Sequence, residues 1–596
     1  MAINDFGITI STVNGSGSTT ANNTILQSIF KMGIPVSARN IFPSNIQGMP
    51  TWYFLRISGE GYLGRLEKND ILIEMNPAAL KDNIKSIKPG GVIIINKNIS
   101  LADIGGENSI YQIPVEDILK KSDVPSNLSV YLANMIYVGV LSFLIGIDLE
   151  KIEKALDQHF RGKKSAVELN YRVVMDAYKW AEENLEKLDL YQLDAGKPFE
   201  EKIMVDGNTA SALGALYGGL QFAAWYPITP ASSLSEAVNE YITKLRTDPE
   251  TGIATCAVVQ AEDELAAVGM AVGAGWSGLR SMTATSGPGL CLMAEFIGLA
   301  YFAEIPIVIW DVQRVGPSTG LPTHTSQGDL TFSYFISHGD KDIIIMLPAD
   351  VNECFDFGWK ALDIAELLQT PVLVLSDLEI GMNLWMGDDF DYPDEDLKRG
   401  KILWEGELEK IVSENKEEWG RYKDVDEDGI PYRTVPGNLH PKSAYFTRGT
   451  GHDPLAHYSE DAEEWEDNLL RLKRKVRNAS NIIPCPVEEI GNNGKDGVIS
   501  YGSSHYAVIE AVDRLTHDGK NFDYLRLRGI PFNESVSEFI ENHNRIFVVE
   551  NNRDAQMAQI LSIEFPQYAH RLKKIARCNG LSLTSEWIIK EIEENL

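Results

Sequence analysis

Cysteine is scarce in this 596-residue chain: there are five, Cys256, Cys291, Cys354, Cys485 and Cys578. The closest pair, Cys256 and Cys291, lies 35 positions apart. No Cys-x-x-Cys run exists from which an iron–sulfur cluster or a zinc knuckle could be built locally. The odd number and wide scatter fit free thiols in a reducing compartment better than a disulfide framework. Long apolar runs are lacking too. No stretch of about 18 uninterrupted apolar residues occurs, so no α-helical membrane span is expected. The opening MAINDFGITIST lacks the basic flank and apolar core of a secretory signal, and a cytoplasmic location is the expectation. Basic residues are in deficit: 54 Lys and Arg against 85 Asp and Glu leave a formal net charge of −31. Phosphate backbones and anionic membranes are held by Lys and Arg, so neither nucleic acid nor membrane is expected as a main partner.

What is present is an alternation of strand and helix patterns. The composition, 44% hydrophobic and 23% charged, is that of a globular protein, and the length suits about three to four domains of ~150 residues. Residues 1–190 open with the strand FGITIST, a glycine-containing turn and an amphipathic helix within VNGSGSTTANNTILQSIFKMG. TWYFLRIS and ILIEM read as further strands, and GGVIIINKNI as one buried on both faces. YLANMIYVGVLSFLIG and VVMDAYKWAEENLEKL read as helices. Residues 200–390 repeat the alternation, with strands at IATCAVVQ, LRSMTATS, IPIVIWDV, DIIIMLPA and TPVLVLSDL; this predicts a doubly wound parallel sheet. Residues 391–490 are charged and irregular, with one helix in EDAEEWEDNLLRLKRKV. Residues 491–596 form a smaller α/β unit, with strands at DGVISYG and IFVVENN.

Four loops of the second segment carry chemistry. In WYPITPASS, Pro227 and Pro230 fix the backbone around Ile228 and Thr229, and the SSLSEAV that follows supplies a helix start suited to an anion. The alternative is a plain rigid turn. Glu262 and Glu264 enter an Ala- and Gly-rich helix in VVQAEDELAAVGMAVGAGW, either as partners of a tightly packed ligand or only as complements to the helix dipole. Thr285 and Ser286 open a strand-to-helix turn in TATSGPGL. Arg314 and Thr323 flank the GPSTGLPT loop; Arg314 is either a carboxylate or phosphate ligand or an ordinary surface arginine.

YPITP, EDELAA, TATSGPGL and QR followed by GPSTGLPT, in that order, resemble the α subunits of 2-oxoacid:ferredoxin oxidoreductases. GSGSTTAN and FPSNIQGMPTW resemble the family's γ domain, here fused N-terminal to α; VVENNRDAQMAQIL resembles its transketolase-like C-terminal domain, and RTVPG and TRGTGHD this fused branch. The acidic-Ile-Arg-Gly-Gly run of many relatives is replaced by SNIQGM, so that arginine's role does not carry over. The resemblance implies an α/β fold of γ-type, pyrimidine-binding and transketolase C-terminal-like domains. It implies oxidation of a 2-oxoacid with coenzyme A to acyl-CoA and CO₂, with reduction of ferredoxin, in either direction. Glu264 matches the glutamate that hydrogen-bonds N1′ of the thiamine diphosphate pyrimidine. Tyr226, Pro227, Ile228, Thr229, Thr285 and Ser286 fall in the cofactor-facing motifs, while Thr229, Arg314 and Thr323 match residues that hold the 2-oxoacid.

The chain has GDL, GDK and GDD but no GDG run of the kind that holds Mg²⁺ and the diphosphate. The resemblance therefore implies a β subunit that brings Mg²⁺ and at least one [4Fe–4S] cluster, in an (αβ)₂ assembly with ferredoxin as acceptor. GPSTGLPT looks more like 2-oxoglutarate or broad-specificity members than pyruvate-only ones. Two further readings remain. Asn14, Gly15, Gly17 and Ser18 form either a coenzyme A phosphate contact or a structural turn. Asp424, Asp426 and Asp428, spaced like the first half of a calcium loop but with Val435 at its twelfth position, form either a metal loop or a solvated acidic turn. A non-catalytic scaffold that kept the fold is the alternative of another class; it predicts no role for Glu264.

Overall fold

The computed structural model describes residues 1–43, 49–101, 106–187, 189–392, 394–414 and 418–596. The SNIQG part of FPSNIQGMPTW lies outside them. The first domain is a six-stranded sheet in the order Val36–Ile41, Pro50–Ser58, Asp5–Val13, Asn69–Glu74, Ile87–Asn96, Ser109–Ile113. The last four of these run parallel, and the hairpin side is antiparallel. Its strands alternate with helices, and Ser129–Ile145 is buried nearly all round against Lys164–Asn184, as its mostly apolar sequence requires.

The middle domain is a seven-stranded sheet ordered Ala257–Gln260, Phe222–Trp225, Ser281–Thr285, Ile307–Gln313, Pro371–Asp377, Ile344–Met346, Gly529–Ile530. The first six are parallel, and the seventh is lent antiparallel by the C-terminal domain. The doubly wound sheet expected from the alternation is present. Chain order reverses between Phe222–Trp225 and Ser281–Thr285, so the loops leaving those two strands diverge and open a crevice at their carboxyl ends. WYPITP and TSGPG are those two loops.

The C-terminal domain is a five-stranded sheet ordered Val487–Ile490, Phe522–Leu527, Asp496–Tyr501, Arg545–Glu550, Leu572–Ala576. Between the two domains, helix Ala462–Arg477 is pinned to the middle domain by a buried charge cluster. Glu304 accepts from Arg471 Nη2 at 2.5 Å and Lys475 Nζ at 2.8 Å, and both it and Lys475 are fully enclosed. The first domain is tied on by the buried Arg39–Glu379 pair at 2.7 Å. Among the described residues no helix is long and apolar enough to cross a membrane.

Candidate active site at the switch point

Thr229 is held from three sides. The Ile228 N–H donates to Ser232 Oγ at 2.9 Å, at the start of helix Ser232–Leu245. Asn208 Nδ2 donates to the Pro230 carbonyl at 2.9 Å. Arg314 Nη1 donates to the Thr229 carbonyl at 2.6 Å. Arg314 is buried, and its Nε has no hydrogen-bond partner. It is thus no ordinary surface arginine: it couples the end of strand Ile307–Gln313 to the WYPITP loop. Tyr226 and Pro227 are exposed, and Ile228 and Thr229 are half-buried.

Glu264 is the first residue of helix Glu264–Trp276, capped by Asp263, whose carboxylate accepts the Ala266 N–H at 2.6 Å. The side chain is turned inward and is only 8% exposed. A β-carbon on Gly289 would stand 2.7 Å from Glu264 Cγ and closer still to Thr285 Oγ1, so the turn of helix Gly287–Phe302 can pass there only as glycine. Thr285 and Ser286 are fully buried. Ser286 sits at the cap position of that helix, yet its Oγ has no partner. A buried carboxyl, an orphaned buried hydroxyl and a wall cleared of β-carbon fit a polar aromatic ring docked at the crevice. Thr285, Ser286 and Glu264 would be the groups that hold it.

Beside this crevice, a cavity of about 740 Å³ lies between the middle and C-terminal domains. Arg314, Asp329, Gly287 and Cys291 form one wall, and Asn552, Arg553 and Gln556 form the other. Thr323 is buried in the Val315–His324 loop and does not reach that lining. The structure thus joins Arg314 to Thr229, sets Glu264 and Thr285 both beside Gly289, and leaves Thr323 outside the cavity lining. Sequence reasoning placed Gly289 at the strand-to-helix turn without a role, and passed over Asp311 and Asp329. Of these, Asp329 in QGDL carries no local signal at all, since only the fold sets it beside Arg314.

In the first domain, Asn14 and Gly15 line a second cavity, of about 630 Å³, with Thr12, Met75, Asn96 and Val130, at the carboxyl ends of the parallel strands. Gly15 and Gly17 take φ of 83° and 78°, which bends the chain into helix Ser18–Lys31. Thr12 is 1% exposed and its Oγ1 has no partner. Gly17 packs on Tyr131 instead, and Ser18 is buried; neither lines the cavity. In the acidic loop the aspartates Asp424, Asp426 and Asp428 form ion pairs within the chain. Lys401 Nζ binds Asp426 at 2.6 Å and Asp428 at 2.9 Å, and Arg474 binds Asp424 at 2.6 Å. The three aspartates are thus paired with cations of the protein, and no group of three metal-ligating side chains forms among the described residues.

Residues 213–399, which contain the switch-point crevice, match the family model "Pyruvate flavodoxin/ferredoxin oxidoreductase, thiamine diP-bdg". Residues 7–180 match "Pyruvate ferredoxin/flavodoxin oxidoreductase". Fold and site therefore define a thiamine diphosphate-binding oxidoreductase subunit. The α subunit of 2-oxoacid:ferredoxin oxidoreductase 1 from Sulfurisphaera tokodaii is 30% identical, over 92% of this chain and 91% of its own. The 2-oxoglutarate synthase subunit KorA from Methanothermobacter thermautotrophicus is 36% identical over 59% of this chain and 88% of its own. The solved 2-oxoglutarate:ferredoxin oxidoreductase from Magnetococcus marinus, with 2-oxoglutarate, coenzyme A and succinyl-CoA bound, superposes with a TM-score of 0.88 at 27% identity, covering 99% of each chain. The chain belongs to the 2-oxoacid:ferredoxin oxidoreductase family, as an α subunit.

Proposed function

We propose that this subunit carries the pyrimidine half of a thiamine site and the 2-oxoacid pocket of a 2-oxoglutarate:ferredoxin oxidoreductase. A β subunit would supply Mg²⁺, the diphosphate contacts and the [4Fe–4S] cluster, in an (αβ)₂ assembly that passes electrons to ferredoxin. The observation that carries the reading is Glu264, buried at the switch point with its carboxyl against Gly289. When bound, thiamine diphosphate supplies the nucleophilic carbon and the electron sink for decarboxylation. The chain's own part is to orient. Glu264 holds a proton at N1′ of the ring, and the Thr285 and Ser286 hydroxyls border it. Arg314 offers its guanidinium to the substrate carboxylate, and Thr229, fixed by Arg314 and Ser232, stands beside the keto group, so that little order is lost on binding. The Asn14–Gly15 cavity, with its positive-φ glycine turn and unpartnered Thr12 hydroxyl, suits a phosphate of coenzyme A.

A preference for 2-oxoglutarate over pyruvate is supported by the GPSTGLPT loop and by the names of the relatives. The test is to co-produce the chain with its β subunit and follow viologen reduction with 2-oxoglutarate, pyruvate and branched 2-oxoacids. Highest kcat/KM on 2-oxoglutarate is expected, and higher kcat/KM on pyruvate would refute the preference. Glu264→Gln is expected to lower turnover about 10²–10⁴-fold. Unchanged turnover would instead favour the scaffold reading.

A further inference from the structure

Arg314 does not face its cavity alone. Asp329 lines the same wall and stands at the cap position of helix Leu330–Tyr334, yet makes no capping bond. Its backbone N–H donates to Gln313 Oε1 at 3.1 Å, which fixes it next to the strand that bears Arg314. Both its carboxylate oxygens lie 2.7 Å from where a β-carbon on Gly287 would stand, so glycine there is what admits the acid. Asp329 Oδ2 has no hydrogen-bond partner. Asp311, level with Thr285 on the neighbouring strand, is fully buried, and neither of its oxygens has a partner.

Asp311 is fully buried and feels the charge of Asp329, so the two carboxyls cannot both ionise cheaply. Burial, and then the charge of Asp329, hold Asp311 in its neutral form. Burial also raises Asp329, and the Arg314 charge offsets part of that rise. Two further groups near the pair, Cys291 and Tyr501, are held in their neutral forms. Cys291, on helix Gly287–Phe302, is raised by burial and then by the two acids. Tyr501, from the C-terminal domain, is raised mainly by burial, with Asp329 a lesser cause. On the far wall Arg553 and Asp554 satisfy each other at 2.8 Å.

We propose that Asp329 is a positioning residue whose charge balances Arg314 in the absence of substrate, and that it takes up a proton, beside neutral Asp311, when a 2-oxoacid carboxylate claims the guanidinium. The inference rests on Arg314 being the carboxylate ligand. A second anion brought to one buried cation leaves an uncompensated negative charge, and protonating Asp329 removes it. By linkage, a ligand that raises a group's pKa binds more tightly as pH falls. Burial holds Asp329 above the ordinary carboxylate range in the free protein, with the Arg314 charge offsetting part of the rise, so KM for the 2-oxoacid rises as pH climbs through its ionisation, toward tenfold per pH unit. The limiting turnover does not follow, because the bound complex keeps the proton.

The experiment measures kcat and KM for 2-oxoglutarate with methyl viologen, on the assembled complex with the β subunit, at several values from about pH 6 to 8. Wild type should show KM climbing at least fivefold at constant kcat, and Asp329→Asn should flatten that climb and keep KM near its acid value. A KM independent of pH in the wild type overturns the proposal. So does a climb unchanged in Asp329→Asn, which is what a purely structural role would give. Should that variant fail to assemble, calorimetric titration of the wild-type complex with oxamate in two buffers of different ionisation heat reads the proton directly, and no uptake at pH 7 overturns it. Arg314→Lys separates the two readings. If it raises KM at every pH while the wild type shows no climb, the Asp329 role alone fails. If it leaves KM unchanged, the Arg314 reading fails and the proposal goes with it.

Discussion

Gly289 faces Glu264 so closely that a β-carbon there would stand 2.7 Å from Glu264 Cγ and 3.0 Å from its Oε1. The glycine is therefore part of the geometry that aims the carboxyl. Gly289→Ala is expected to displace Glu264 or the helix turn and to cut turnover at least about tenfold. Stability should fall by about 1–3 kcal/mol, as overpacking does. Steady-state rates of the assembled complex and chemical denaturation of the chain measure the two effects, and a fully active Ala variant would show that the carboxyl does not need its present place.

The Thr229 hydroxyl can be removed without disturbing the loop, because Arg314 grips the Thr229 carbonyl and Ser232 the Ile228 amide. Thr229→Val should therefore raise KM for the 2-oxoacid about twofold to tenfold, the worth of a hydrogen bond to a neutral keto oxygen, at nearly unchanged melting temperature. A variant with wild-type KM would remove Thr229 from the substrate contacts.

Glu304 neutralises two buried cations at once, Arg471 and Lys475. Their charges, which outweigh its burial in effect, hold its carboxyl far below the ordinary range. Glu304→Gln strands both cations in the interior, and the expected loss is about 3–5 kcal/mol. Denaturant unfolding should show it, with helix Ala462–Arg477 losing amide-exchange protection first. A change under about 1 kcal/mol would mean that water reaches the cluster.

Asp377 ends strand Pro371–Asp377 and accepts from Ser503 of the C-terminal domain. Burial raises it from 3.8 to about 7. The folded chain therefore binds more protons than the unfolded one across that window, and this group's contribution to stability falls as pH rises from about 4 to 7. Asp377→Asn keeps a side-chain oxygen to accept the Ile380 N–H and carries no charge. Its melting temperature should gain on the wild type as pH goes from 5 to 8, and a difference that does not change with pH would contradict the assignment.

Much of this was legible in the chain. The runs FGITIST, GGVIIINKNI and IPIVIWDV are apolar enough to be buried strands wherever they fall, and they are strands here. Phe222–Trp225 was missed because FAAW, rich in small residues, has no β-branched side chain and is only four residues long; neighbouring strands make it a strand. The loan of Gly529–Ile530 to the middle sheet was likewise invisible, since two residues carry no period. The ion pairs of the acidic loop were hidden for a related reason. The loop's spacing is that of a cation site, but Lys401 and Arg474 lie 27 and 50 positions from the aspartates they bind, as counted from Asp428 and Asp424.

Sequence alone determined the periodicities, the prolines around Thr229 and the ordered motifs that fix the family, because these depend on neighbours along the chain. Only the tertiary structure decided that Arg314 grips Thr229, 85 positions away, that Gly289 clears space for Glu264, and that Asp329 joins Asp311 beside the arginine. Those relations depend on which strands lie side by side at the switch point, and strand order is set by packing the whole sheet, which no local stretch encodes.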